Sequence, residues 1–405
     1  KNPAGPWSAP VCLKQACGWI DPCPLWDEDG KAYLVHGFAG SRAGIKTILA
    51  VSPMAADGLS LTGPDALVFD GHQGHPTLEG PKFYKRGGYY YIFAPAGGVP
   101  TGWQLVLRAK NVYGPYEERI VMDQGKTPIN GPHQGAWVDT NAGEDWFLHF
   151  QDQGPYGRVV HLQPMIWKND WPVIGEDPDG DGKGQPVLTY RKPRIKGKAQ
   201  PPATPATSDE FSTNQLGLQW QWHANPQDYW AFLNGPQGYL RLYAMPLAEG
   251  YKNLWQQPNL LLQKLPADVF TATAKLRFDS RLEGEKVGLV IMGLDYSYLS
   301  LTNQGGKLQL SQSTCLSADK GSAETTTPAV PVAQAQQPVY LRVAVKQGAR
   351  CQFSYSFDGQ TFQPLGAEFQ AREGKWIGAK VGLFCTRPGK FNDSGNADID
   401  WFRIE

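Results

Sequence analysis

The sequence predicts an all-β protein in two parts, a β-propeller followed by a β-sandwich of jelly-roll type. Three observations carry this. The 405 residues hold 46 glycines and 33 prolines with 12% aromatics, a mixture of turn formers and strand formers that favours short strands over long helices. One pattern recurs three times before residue 191. After residue 208 apolar and polar positions alternate without that period.

The repeat runs polar leader, strand, tight turn, aromatic strand. In WIDPCPLWDEDGKAYLVHG the leader is Asp21, the turn is Asp27 to Gly30 and the second strand surrounds Tyr33. In EGPKFYKRGGYYYIFAP the leader is Glu79, with a turn at Lys85 to Gly88. In HQGAWVDTNAGEDWFLHFQD it is His133, with a turn around Asn141 to Gly143. The leaders are 58 and then 54 residues apart, and each unit continues into further strand candidates, IKTILAV, WQLVLRA and RVVHLQPMIW. A period of roughly 40–55 residues with four strands per unit is the mark of a propeller blade. Innermost blade strands converge on a central channel, so Asp21, Glu79 and His133 are expected to meet in space.

Residues 1–191 are thus assigned to the propeller, with about three whole blades. GPWSAPVCL at Gly5 matches GPYEERIVM at Gly114, two periods later, so residues 1–15 are expected to be the tail of a blade that begins before Lys1. Residues 192–207, rich in Pro, Ala and Thr, read as a linker of polyproline character. Residues 208–405 carry eight or more alternating strands, among them FTATAKLRF, VGLVIMGL and VYLRVAV, with an Asp-Gly hairpin in SFDGQTF. The first and last segments, DEFSTNQLGLQWQW and ADIDWF, are expected to pair.

Composition excludes several classes. Basic and acidic residues balance at 38 each, which gives no electrostatic footprint for nucleic acid. No apolar run is long enough to span a membrane. The spacing of Cys12, Cys17 and Cys23 does not match a zinc knuckle. The acidic stretch EDPDGDGKGQP has Leu188 where a calcium loop needs its twelfth-position Glu, so it reads as a hairpin tip.

The motifs IDPCPLWDEDGKAYLV, EGPKFYKRGGYYYIF and GPHQGAW, in this order, resemble those of glycoside hydrolase family 43, and the sandwich with WQWHANP and ADIDWF is similar to the domain that follows in its β-xylosidase and α-L-arabinofuranosidase members. The resemblance implies a five-bladed propeller and inverting hydrolysis of terminal β-xylosyl or α-L-arabinofuranosyl residues of plant cell-wall oligosaccharides. Such chemistry needs one protonated carboxylic acid on the leaving oxygen and one carboxylate that activates water. By resemblance Glu79 matches the general acid and Asp21 the aspartate that tunes it. The base is expected in an Asp-Pro motif upstream of Lys1.

His133 matches a histidine that helps hold a central calcium through water, and Arg158 an arginine that reaches the sugar. Trp103 and Phe38 are candidates for a sugar-stacking wall, and Trp376 for a sandwich loop leaning over the pocket. Asp209, Asp398 and Asp400 are candidate ligands of a structural calcium where the sandwich termini meet. No organic cofactor is expected. A non-catalytic carbohydrate-binding protein with a degenerate propeller is the alternative.

Overall fold

The computed structural model describes residue 2 and residues 4–198, 201–332 and 337–405; residues 199 and 200 of the expected linker lie outside these. The chain forms two compact units. One is Lys1–Asp152 with Val159–Ala199, the other Gln153–Arg158 with Gln200–Glu405.

The first unit contains three four-stranded sheets among the described residues, each a meander in chain order. They are β1 Trp19–Trp26, β2 Ala32–Phe38, β3 Ile48–Met54 and β4 Ala66–Asp70; β5 Lys82–Arg86, β6 Tyr89–Ala96, β7 Trp103–Ala109 and β8 Glu117–Met122; and β9 His133–Asp139, β10 Asp145–Asp152, β11 Arg158–Lys168 and β12 Trp171–Ile174. The turns fall where the sequence places them. Gly87 and Gly88 both have positive φ, 57° and 75°, as a two-residue hairpin turn requires, and Arg86 pairs with Tyr89 across it.

Strand alternation explains why the sheets stack as blades. Tyr91, Ile92, Phe93 and Ala94 in β6 are all fully buried, so both faces of the middle sheet are covered. Ile92 and Ala94 pack with Tyr33, Val35 and Leu49 of the preceding sheet. Tyr91 and Phe93 point the other way, onto Phe147, Met165 and Trp171 of the following one. Asp27, which lies in the first hairpin turn, is buried and accepts hydrogen bonds from Lys85 Nζ and Tyr90 Oη, so it pins the first sheet to the second.

The second unit is a two-sheet sandwich. The sheets have nine and eight strands among the described residues. Their inner faces close on one core, with Leu289, Leu299 and Leu383 from one sheet and Leu276, Val343, Phe353 and Ile399 from the other. Asp209 and Phe402 exchange both backbone hydrogen bonds, at 2.7 and 2.8 Å, so the first and last segments do pair.

Candidate active site

The polar leaders of the repeat converge. Register in the first sheet jumps from Ile20–Gly37 to Cys23–Val35, so Asp21 and Pro22 form a bulge opposite His36. Asp21 takes φ 53°, a conformation that aspartate tolerates better than most residues. Its Oδ2 accepts the backbone N–H of Gly80 at 2.9 Å, which fixes the peptide directly after Glu79. Glu79 N–H in turn donates to the Pro95 carbonyl at 3.1 Å. The Glu79–Gly80 backbone is therefore held from the first sheet and from its own.

The third sheet supplies the side-chain partner. His133, first residue of β9 and completely buried, places Nε2 2.8 Å from Glu79 Oε1. Gln134 Nε2 reaches the same oxygen at 3.5 Å. Gly80 has φ 60°, and a Cβ there would lie 2.3 Å from the Gln134 amide oxygen, so glycine at this position permits the approach. The Glu79 side chain remains 28% exposed, open to a substrate. Asp21, Thr77 and Gln134 all have left-handed backbone, and such residues gather where a site imposes its geometry.

Gln134 is a member of the cluster that the sequence reading missed. Its only signal was its place beside His133 in GPHQGAW. His133 has a further partner that the sequence did not show. It bonds directly to the Glu79 carboxyl group, and Nδ1 is buried with no partner among the described residues. With Nε2–H donating to Glu79, Nδ1 keeps a lone pair that fits a bridging water. Calcium prefers several oxygen ligands, and no group of three or more His, Cys, Asp or Glu side chains suited to a metal occurs among the described residues. The residues shown therefore do not form a direct calcium site.

The sandwich acids each have partners within the protein. Asp398 is taken by a two-point pair with Arg241, at 2.7 and 2.8 Å. Asp400 pairs with Lys275 at 2.8 Å and Arg277 at 3.6 Å. Asp209 accepts from Trp220 Nε1 and from the Phe211 N–H. The three carboxylates are each neutralised or capped separately rather than turned to a common ion.

Phe38 ends β2 opposite Trp19, and the buried His36 ring stacks on Trp19 at 3.6 Å and meets Phe38 edge-on at 5.1 Å. Burial pushes the His36 imidazole pKa down. Trp103 pairs with Ala96 next to the strand end that anchors Glu79. Its ring covers Gly97 and its Nε1 lies 3.3 Å from His75 Nδ1, so much of the ring serves packing. Arg158 stands at the exposed start of β11, and Trp376, in the second unit, is 74% exposed with φ 64°.

Known proteins share this design. A family model of glycosyl hydrolases family 43 matches residues 1–172, and one of the beta xylosidase C-terminal concanavalin A-like domain matches residues 208–405. A protein of Xylanibacter ruminicola is 41% identical over 95% of this chain and 68% of its own length. A beta-xylosidase of Formosa agariphila is 32% identical over the whole chain and 73% of its own length. Among solved structures, a family 43 protein of Bacillus licheniformis matches with a TM-score of 0.82 at 26% identity, covering all of this chain and 77% of that one. A xylan beta-1,4-xylosidase of Bacillus halodurans shares the fold, with a TM-score of 0.85 at 23% identity, over all of this chain and 79% of that one. The chain therefore belongs to glycoside hydrolase family 43, as a propeller glycosidase with a β-xylosidase-type C-terminal sandwich.

Proposed function

We propose that the enzyme releases terminal β-xylosyl residues from xylan-derived oligosaccharides, with inversion, and that Glu79 is the general acid. The observation that carries this is the placement of Glu79 between Asp21 and His133. His133 Nε2 lies 2.8 Å from Oε1; in the tautomer that carries its proton on Nε2 it donates to Oε1, and the proton of the carboxylic acid then sits on Oε2, the oxygen left for the leaving group. Asp21 is a positioning residue, acting through the Gly80 peptide. The water-activating carboxylate is assigned to none of these residues. Xylose is favoured by the C-terminal domain type and by the Formosa agariphila relative. α-L-Arabinofuranose is the second reading, because a non-reducing end alpha-L-arabinofuranosidase of Bacteroides ovatus is 27% identical over 99% of this chain.

Any calcium is proposed to touch this site only through water on His133 Nδ1. Arg158, Trp103, Phe38 and Trp376 are proposed substrate contacts. Parallel assays on nitrophenyl β-D-xylopyranoside and nitrophenyl α-L-arabinofuranoside decide between the two sugars. Faster turnover of the arabinofuranoside would reverse the assignment. Proton NMR of the first-formed sugar tests inversion, and a product of retained configuration would exclude the mechanism.

A further inference from the structure

A second cleft, of about 370 Å³, lies in the propeller unit away from Glu79, lined by Arg86, Trp146, Trp167, Tyr190, Arg191 and Arg194 among others. It sits at the turn end of the hairpins. His133 pairs with Phe150 at one end of the β9–β10 ladder, whereas Asp139 pairs with Asp145, a cleft residue, at the other. Six residues of strand separate the two ends, roughly 20 Å.

The cleft is built from locked parts. Asn141 and Lys196 exchange hydrogen bonds at 2.7 and 3.1 Å, which straps the segment around residue 194 onto the β9–β10 turn. The peptide N–H of Arg194 bonds Glu144 Oε2 at 2.8 Å, and Arg191 pairs with its Oε1 at 2.8 Å. The Arg194 peptide first, then the two guanidinium groups, hold the Glu144 carboxyl down at about 2, so the strap stays charged and intact in acid. Asp145 is likewise engaged, by Trp137 Nε1 at 2.7 Å.

What remains unused is cationic and aromatic. Arg86 stacks on Trp167 at 4.3 Å and has no carboxylate within ion-pair distance among the described residues. Trp167 Nε1 is buried without a hydrogen-bond partner. Tyr190, 47% exposed, stands edge-on to Trp146 at 5.8 Å. A pyranose that lays its C–H face on an aromatic ring and offers a carboxylate to a planar guanidinium suits the exposed groups, Tyr190 and Arg86.

We propose that this cleft is a non-catalytic binding site for a uronate-bearing oligosaccharide, with the sugar against Tyr190 and its carboxylate on Arg86, which Trp167 holds in place. The site does not depend on which sugar is cleaved at Glu79, so the two readings can fail separately. The test is calorimetric titration of the protein with a glucuronate-substituted xylo-oligosaccharide, an oligogalacturonide and a neutral xylo-oligosaccharide, in wild type and in Glu79→Gln, Arg86→Ala and Tyr190→Ala. One of the uronates is expected to saturate a site that survives Glu79→Gln, and the tighter one identifies the source. Binding should weaken about tenfold in Arg86→Ala, as expected for loss of hydrogen bonds to a charged group, and also fall in Tyr190→Ala. Equal binding of the neutral oligosaccharide, absence of saturation by either uronate, or undiminished affinity in both variants would overturn it. Effective competition by inorganic phosphate would also overturn it, because the site would then read charge and not sugar.

Discussion

His133 Nε2 lies 2.8 Å from Glu79 Oε1, and the imidazole is completely buried while the carboxylate is partly open. A buried donor aimed at one oxygen of a carboxyl group does two things. It fixes the rotamer, and it leaves the other oxygen to face the leaving group. His133→Leu should therefore lower kcat by about ten- to a hundredfold and alter the shape of the pH–rate profile, whereas His133→Gln, which keeps a donor, should recover part of the loss. Steady-state kinetics across pH checks this. Equal behaviour of the two variants would assign His133 a packing role only.

Asp21 reaches Glu79 through the Gly80 N–H. Asp21→Asn keeps an acceptor for that hydrogen bond and removes the charge, while Asp21→Ala removes both. The expected order of kcat is wild type, then Asn, then Ala, with the full loss on the order of a hundredfold. KM should change less than kcat. An Ala variant that matches Asn would show that the hydrogen bond does not matter.

Acid should weaken the third blade first. Burial pushes the His149 imidazole down to about 4, its Nε2 lies 3.2 Å from the Gln163 amide, and it stacks on His161, whose pKa is also lowered by burial. Because the folded pKa is below the unfolded value of about 6.5, the unfolded chain takes up the proton first. Stability is whole above that value and is lost as pH falls from about 6.5 to about 4, by roughly 3 kcal/mol from this group. Hydrogen exchange in β10 and β11 at pH 7 and pH 4.5 checks it. The loss of protection in acid should be smaller in His149→Gln.

The sandwich should not respond to chelators at its paired ends. Asp398 and Asp400 are held by Arg241, Lys275 and Arg277. EDTA should leave hydrogen exchange of the strand Asn396–Ile404 unchanged, while Asp398→Ala should raise it, with a cost of about 1–3 kcal/mol for the cation left behind. Faster exchange after EDTA would restore a calcium to this place.

The sequence revealed what rests on period and turn chemistry. The recurring leaders placed Asp21, Glu79 and His133 in one site, and Gly87-Gly88 marked its hairpin. It did not reveal what rests on pairing across distant strands. Nothing local to ADIDWF shows that Asp398 will face Arg241, 157 residues earlier, so a row of acids read as metal ligands when cross-strand cations already satisfied them. The direct His133–Glu79 bond was hidden for the same reason. Alternation aims both into the channel, but only the packed sheets set the distance between them.

The central claim, that Glu79 delivers the proton, is tested most directly by the leaving-group dependence of Glu79→Gln. With a poor leaving group, such as the second xylose of xylobiose, kcat should fall by about a hundredfold or more; with a dinitrophenyl glycoside, which needs no proton, it should fall far less. Equal losses on both substrates, or turnover of the disaccharide at the wild-type rate, would contradict the account.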